Sequence, residues 1–355
     1  MITRRSYIGM DVHSKTTTCC VVSERGKFLQ ETTLATKEKL LRDFVKGISG
    51  ERHLTFEEGC QAAWVYAFLE PLCDRILVCN PWKNKCLSGE QKTDKSDAYN
   101  LAEKLRGGFL EGVWHPGKVE QGLRDLAKTY DMVTSDLVRT KNRIKAMYRS
   151  RGIEIKETDV YNISKIEDLI KKLPTEALKK RGEILYKELE EIKEIREKAG
   201  KAFVESAIKH KTYNVLQTIP QMGPIRAATF IAHVGRPERF RTRKTFWSYV
   251  GLAVRSYASG EYEIDTKGNP IKKRGKQYTR GLVSSFNRPL KYVFKSMANQ
   301  LKNNEWREGY ERLVESGVRE NMAVLTLARK AAAVALHLAK TGEVYDKKLV
   351  FQQKK

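Results

Sequence analysis

The sequence is short of acidic residues, and that shortage is its first clue. Against 67 lysines and arginines it carries 43 aspartates and glutamates, a formal charge of +24 over 355 residues. Such an excess calls for a polyanionic partner; nucleic acid is the default, and a membrane surface the weaker alternative. There are only six histidines, and no Ser-His-Asp arrangement can be read among them, so a hydroxyl nucleophile activated by a neighbouring imidazole has no support. The six cysteines all lie before residue 90, with no CxxC pair and no histidine at zinc-finger spacing. A zinc site is not expected. Without a signal peptide, reduced thiols in a cytoplasmic, nucleoid-associated protein are. Long apolar runs are missing too: the alanine-rich stretch from Met322 to Ala339 is broken by Arg329 and Lys330, which predicts a packed helix and not a membrane span. No internal repeat or long low-complexity segment occurs.

What is present begins with strands. Residues 7–12, 17–23 and 28–34 read as three short strands, the last two joined at Arg25-Gly26. A helix follows over 37–48, with Leu40, Leu41, Phe44 and Val45 on one face, then a strand ending at Glu57. Gly59 opens a helix through Trp64, Phe68 and Leu69, and Ile76-Leu77-Val78 is a further strand. A meander followed by alternating helices and strands predicts an α/β unit, a mixed sheet with helices on both faces. From Val119 to Arg151 the pattern changes. Leu123, Leu126, Tyr130, Val133, Leu137, Ile144 and Met147 follow three- and four-residue steps, a coiled-coil-like seam. A second helical run starts at Ser164, where Ser164-x-x-Glu167 has the form of a capping box. After Pro174 it resumes with Leu178, Leu185, Leu189, Ile192 and Ala199 inward. Together these predict an antiparallel helical arm, acting as a spacer or as a surface for dimerisation or nucleic acid.

The stretch Lys92-Thr93-Asp94-Lys95-Ser96-Asp97-Ala98 carries the chemistry. Thr93 is a candidate N-cap, and Asp94 and Asp97, three apart, share a helix face. An acidic first turn also complements the helix dipole. Upstream, however, Asp11 interrupts the apolar run Tyr7–Val12, and Glu57 and Glu58 end the run Leu54-Thr55-Phe56. A carboxylate on a buried strand is costly unless a cation or hydrogen bonds compensate it. The order Asp, Glu, Asp-x-x-Asp therefore points to a shared site for a divalent metal, Mg²⁺ or Mn²⁺. Alternation along a strand sends Glu57 and Glu58 to opposite faces, leaving the choice between them open.

From about residue 213 a third, mostly helical part begins. Ile219-Pro220-Gln221-Met222-Gly223-Pro224, followed by Ile225 and Arg226, has the look of a helix-hairpin-helix, whose Gly223 lets backbone amides approach a phosphate. Ala253 to Gly260 reads as a polar loop with two serines, Ser256 and Ser259. Beyond it Lys272, Lys273, Arg274, Lys276 and Arg280 alternate with aromatics, which suits a phosphate backbone and stacked bases.

Taken in order, Gly9-Met10-Asp11-Val12-His13, Phe56-Glu57-Glu58-Gly59, Lys92–Ala98, Ile219-Pro220-x-x-Gly223-Pro224, Phe246 to Gly251-Leu252, Ser259-Gly260 and Gly268-Asn269 resemble the DEDD transposases of bacterial insertion sequences, also called bridge-RNA-guided recombinases. The resemblance implies a RuvC-like domain of the RNase H fold over 1–116, a helical coiled-coil arm over 117–212, and a transposase domain with a serine loop over 213–345, with 346–355 as a tail. It implies that Asp11, Glu57, Asp94 and Asp97 hold Mg²⁺ and that Ser259 is the nucleophile, forming a phosphoserine link to DNA. It implies DNA ends and targets, a non-coding guide RNA and a dimer or tetramer as partners. Two other readings of the same residues stand beside it: a hydrolytic nuclease of resolvase type, with water as the attacking group, and a non-catalytic nucleic-acid-binding protein.

Overall fold

The computed structural model describes residues 4–81, 94–156, 159–257, 262–266, 269–272 and 278–351. The chain divides into two compact units, Met1–Gln121 and Gly122–Lys355.

The first unit is built on a six-stranded sheet. Its strands are β1 (Arg5–Val12), β2 (Thr16–Ser23), β3 (Phe28–Ala35), β4 (Glu51–Glu57), β5 (Arg75–Cys79) and the two-residue β6 (Gly112–Val113). They lie in the order β3-β2-β1-β4-β5-β6. The first three form an antiparallel meander, β4 is parallel to β1 and β5 to β4, and β6 closes the far edge antiparallel to β5. This is RNase H-like topology. Strand alternation sorts the side chains into two layers. Ile8, Met10, Val21, Leu54, Phe56 and Val78 pack under α1 (Glu38–Lys46) and α2 (Ala62–Leu69). Tyr7, Cys20 and Val22 meet Ala98, Ala102 and Leu105 of α3 (Asp94–Arg106) on the opposite face. Each fully buried Leu or Phe in these layers contributes about 1.5–3 kcal/mol relative to exposure. The helix after Glu57 begins at Ala62, not at Gly59, because residues 58–61 form the bend that leaves the strand.

Gly9 sets how closely α3 approaches. A Cβ at that position would run into the Ala98 carbonyl and the Ala102 amide, so helix backbone lies directly on strand backbone. At the other end of α3 the Arg106 guanidinium packs over Gly26, in the β2–β3 turn beside the start of β1. The helix therefore runs antiparallel to β1, with its N-terminus toward the end of the strand that carries Asp11.

The second unit begins with a long antiparallel pair, α4 (Lys118–Arg149) and α6 (Glu176–Ile208), with the short α5 (Ile166–Lys171) between them in sequence. Leu137, Ile144, Met147 and Tyr148 meet Tyr186 and Leu189 along the seam. Arg196 donates to the Tyr130 hydroxyl at 2.6 Å and the Thr134 hydroxyl at 3.1 Å, while Glu188 accepts from Thr140 and Arg143 at 3.0 and 2.8 Å. The expected capping box is not formed. Ser164 sits in a 3₁₀ turn, where its amide and hydroxyl donate to the Asn162 side chain, and α5 begins beyond it without a side-chain cap. The cap that does form is Thr175, which accepts from the Leu178 amide at 3.3 Å and starts α6.

The rest of this unit packs α7 (Thr212–Gln217), α8 (Pro224–Val234), α9 (Arg243–Tyr249), α10 (Arg288–Leu301), α11 (Arg307–Glu315), α12 (Glu320–Thr341) and the short α13 (Lys348–Phe351) around one core. The α12 helix is long and apolar enough by composition to cross a membrane. Its alanine-rich face is buried in this core, where small side chains let α10 pack closely. The stretch expected as a polar loop after Leu252 contains a strand. β7 (Val254–Tyr257) pairs antiparallel with β10 (Tyr278–Leu282), and β8 (Tyr262–Ile264) pairs with β9 (Pro270–Lys272). The strand escaped the sequence reading because its partner lies more than 20 residues away and its four residues show no local hairpin signal.

Candidate active site

Two of the acidic residues singled out in the sequence, Asp11 and Glu57, end neighbouring strands at one end of the sheet. The last registered pair between β1 and β4 is Met10 with Phe56. One residue further on, Asp11 and Glu57 stand side by side, and both belong to the alternation set of Gly9 and Thr55, the set facing α3. From Gly9 to Asp11 the strand advances about 6.6 Å. Four residues of helix back from Ala98, to Asp94, advance about 6 Å in the same direction. The first turn of α3, which Asp94 begins and which contains Asp97, is thus brought level with Asp11 and Glu57. The Asp94 side chain, like Lys92 and Thr93, lies outside the described residues.

Two histidines that the sequence reading left without a role attach to this edge. His13 Nε2 is 3.0 Å from Asp11 Oδ2. His115 Nε2 is 2.5 Å from Glu58 Oε2; its side chain is only 6% exposed and its ring stacks on Tyr66 at 5.1 Å. Glu58 is therefore held by an imidazole on the β6 side, whereas Glu57 shares the face of Asp11. No local signal marks His115; it reaches Glu58 only because β6 pairs with β5 and brings the following Trp114-His115 back along the sheet edge. The donor set, carboxylates at a strand end facing a helix N-terminus, fits a hard divalent cation. Among the described residues no group of three His, Cys, Asp or Glu side chains is gathered tightly enough to hold a metal by itself. Cys19 and Cys20 take no part: burial pushes the first thiol up to about 12 and the second up to about 11, leaving both protonated.

In the second unit Ser259 lies outside the described residues, as do Lys273, Arg274 and Lys276. Ser256 is on β7, Lys272 on β9 and Arg280 on β10, placed by backbone alone. The root of this ribbon is well defined. Gly251 has φ +72, and a Cβ there would strike the Phe286 ring, so glycine is required at the turn into β7. The Val283 amide donates to the Ala253 carbonyl, and the Asn287 amide to the Tyr249 carbonyl. The Asn287 side chain caps α10 by accepting from the Leu290 amide, and its Nδ2 donates to His233 Nδ1 at 3.1 Å. The Tyr249 hydroxyl donates to the His233 carbonyl at 2.8 Å. Burial, then Arg124 and Lys128, hold the His233 pKa down at about 4.

At the Pro220-x-x-Gly223-Pro224 turn, Gly223 precedes α8 with open space where a side chain would be. Gln221 takes φ +64, and Arg226 ties the turn down by donating to the Gln221 carbonyl and, at 2.7 Å, to the Gln300 side chain.

A mixed sheet of RNase H-like order with carboxylates at one end, followed by a helical unit bearing a stranded insertion, defines a two-part architecture. Two family models match those two parts. A DEDD-type IS110 transposase family matches residues 8–150, and a family described as transposase IS116/IS110/IS902 matches residues 213–291. Among curated relatives, the "Transposase for insertion sequence element IS1533" of Leptospira borgpetersenii is 27% identical over 165 residues, covering 44% of this chain and 47% of that protein. The "Putative transposase y4qE" of Sinorhizobium fredii (strain NBRC 101917 / NGR234) is 23% identical over 290 residues, 79% of this chain and 70% of that protein. The chain thus spans about half the length of the first of these relatives. It belongs to the IS110 family of insertion-sequence transposases. Membership in a DEDD family implies use of a divalent metal.

Proposed function

We propose that this protein is the transposase of an insertion sequence, which cleaves and rejoins DNA strands with Ser259 as the attacking group. The observation that carries the reading is the strand register that sets Asp11 beside Glu57 at the N-terminus of α3, within the family-matched stretch. Asp11, Glu57, Asp94 and Asp97 are the residues that would hold Mg²⁺ or Mn²⁺, with Glu58 engaged by His115 instead. A metal bound there lowers the pKa of a hydroxyl and neutralises charge on phosphoryl oxygens. The Ser259 hydroxyl attacks the DNA phosphorus, the 3′ or 5′ oxygen leaves with a proton, and the strand end stays on the enzyme as a phosphodiester of serine. This linkage conserves the bond energy that rejoining needs. The basic residues of the second unit, Lys272 to Arg280, take the phosphate backbone. A guide RNA, a dimeric or tetrameric assembly and a nucleoid location belong to the same proposal.

The test is a suicide DNA substrate incubated with Mg²⁺, denatured, and searched for a protein–DNA adduct by mass spectrometry. The expected adduct is on Ser259, absent from Ser259→Ala, with Asp97→Asn losing cleavage while DNA affinity stays within about twofold. Free ends produced efficiently by Ser259→Ala would overturn the serine step and leave the hydrolytic nuclease. Full cleavage by Asp97→Asn would remove that residue from the metal site. RNA that copurifies with the protein and is required for cleavage would support guidance.

A further inference from the structure

The second unit contains a cavity of about 690 Å³ between α9 and α12, from Thr326 to Lys340, bordered by Val350 of α13. Its volume is that of a small-molecule site. Its polar lining consists of Arg243, Thr326, Arg329, Lys330, His337 and Lys340, together with the indole of Trp247. Among the described residues lining it there is no carboxylate. In a chain with so many surface ion pairs that is a selective arrangement, because a concave, single-sign lining focuses potential on an anion.

The cations are oriented by backbone oxygens. Arg329 Nε donates to the Leu252 carbonyl at 2.7 Å, Lys330 Nζ to Val350 at 2.9 Å and Lys340 Nζ to Phe240 at 2.5 Å. A carbonyl aims a cation without neutralising it, and the Arg329 guanidinium and the Lys340 ammonium each have further N–H groups beyond the one so used. His337 leans on Glu343 at 3.1 Å. Burial pushes the pKa of Arg329 and of Lys330 down. Partly desolvated cations are costly, and an incoming anion offsets that cost.

The aromatic group is equally well placed. The Trp247 Nε1–H donates to the Arg329 carbonyl at 2.9 Å, which fixes the ring. Arg243 and Arg329 lie 5.7 and 6.0 Å from its centre. The indole packs on the helical core and lines the cavity with guanidinium groups over its ring, which puts a stacking group and phosphate-binding cations in one place. Arg329 also grips Leu252, at the root of the β7–β10 ribbon, so an occupant would sit next to the anchor of that ribbon.

We propose that this cavity binds one unpaired nucleotide of a bound nucleic acid, its base on Trp247 and its phosphates on Arg243, Arg329 and Lys340. The inference rests on the reading above only in taking nucleic acid as the partner. The experiment uses the full chain with single-stranded oligonucleotides carrying 5-iodouracil, in DNA and RNA versions, and a duplex of the same sequence as control. Photo-adducts are mapped by mass spectrometry, and affinities are measured for wild type, Arg243→Glu, Trp247→Phe and Trp247→Leu. The expected result is an adduct on Trp247 or its flanking peptide. Trp247→Leu should lose roughly 5- to 150-fold in single-strand affinity, the range for one stacked base, with Trp247→Phe retaining most of it. Arg243→Glu, at an exposed position where misfolding is not at issue, should weaken single-strand binding about tenfold and duplex binding less than twofold. An adduct with only the DNA or only the RNA oligonucleotide supports the site and identifies which strand supplies the nucleotide. No adduct with either, and unchanged single-strand affinity in Arg243→Glu, would overturn the proposal. If that protein still cleaves its DNA substrate, the transposase reading survives the failure.

Discussion

His233 illustrates how a single residue can tie pH to the stability of the helical unit. Its Nδ1 accepts from the Asn287 side-chain amide, which leaves the ring proton on Nε2, and among the described residues the buried Nε2 has no hydrogen-bond partner. Protonation would destroy the Nδ1 acceptor and place a charge beside Arg124 and Lys128, which is why the pKa stands at about 4 in the fold. The unfolded chain takes up the proton near the ordinary histidine value of about 6.5. Between these values the unfolded state binds more protons than the folded one, so stability rises with pH across that window and falls as pH drops from about 6.5 toward 4. The loss is on the order of 3 kcal/mol at full protonation. Thermal unfolding of the whole chain from pH 7.5 to 4.5 should therefore show a decline that is shallower in His233→Gln. An identical slope in the variant would mean that other groups dominate the acid limb. Residues of this kind were hidden in the sequence: a lone histidine in an apolar helix carries no mark of its partners, and His115 and Glu58 are 57 positions apart. Asp11 was legible for the opposite reason, since a carboxylate inside an apolar strand violates the local pattern and so calls for an explanation.

At the scale of elements, the contact of α3 with β1 decides whether the acidic edge exists. Gly9 lets the two backbones touch, and any side chain there must push the helix away from the strand. Gly9→Ala should destabilise the first unit by about 1–3 kcal/mol, the usual cost of overpacking, and should cut strand cleavage more than that loss of folded protein accounts for. Urea unfolding together with cleavage measured on the folded fraction separates the two effects. Normal stability and normal cleavage in Gly9→Ala would show that the close approach is dispensable. The existence of these elements was legible because the helices bury one regular set of positions and β1 and β2, covered on both faces, form unbroken apolar runs. Their ends were less so. The Ser164 hydroxyl is taken up by Asn162 and so does not cap α5, and β7 escapes a local pattern because cross-strand pairing is not a local property.

For the whole molecule, charge is the governing quantity. With +24 formal charges, association with nucleic acid should weaken steeply as salt rises, because each neutralised phosphate releases counterions. Replacing Lys272, Lys273 and Arg274 together by Ala should flatten the slope of log affinity against log salt by about 2–3, near 0.9 per lost contact on duplex DNA. An unchanged slope would make this cluster a solvated face. The sequence alone determined the charge, the strand meander, the seam of the helical arm and the identity of the acidic residues, since each is written in local composition or in a period of two or near 3.6. Only the tertiary structure decided that Glu57 and not Glu58 shares the face of Asp11, that α3 runs antiparallel to β1 and so delivers Asp94 and Asp97 to the same end, and that Trp247 lines a cavity of cations. Those facts depend on register and on contacts between residues far apart in the chain, and local physics carries no record of either.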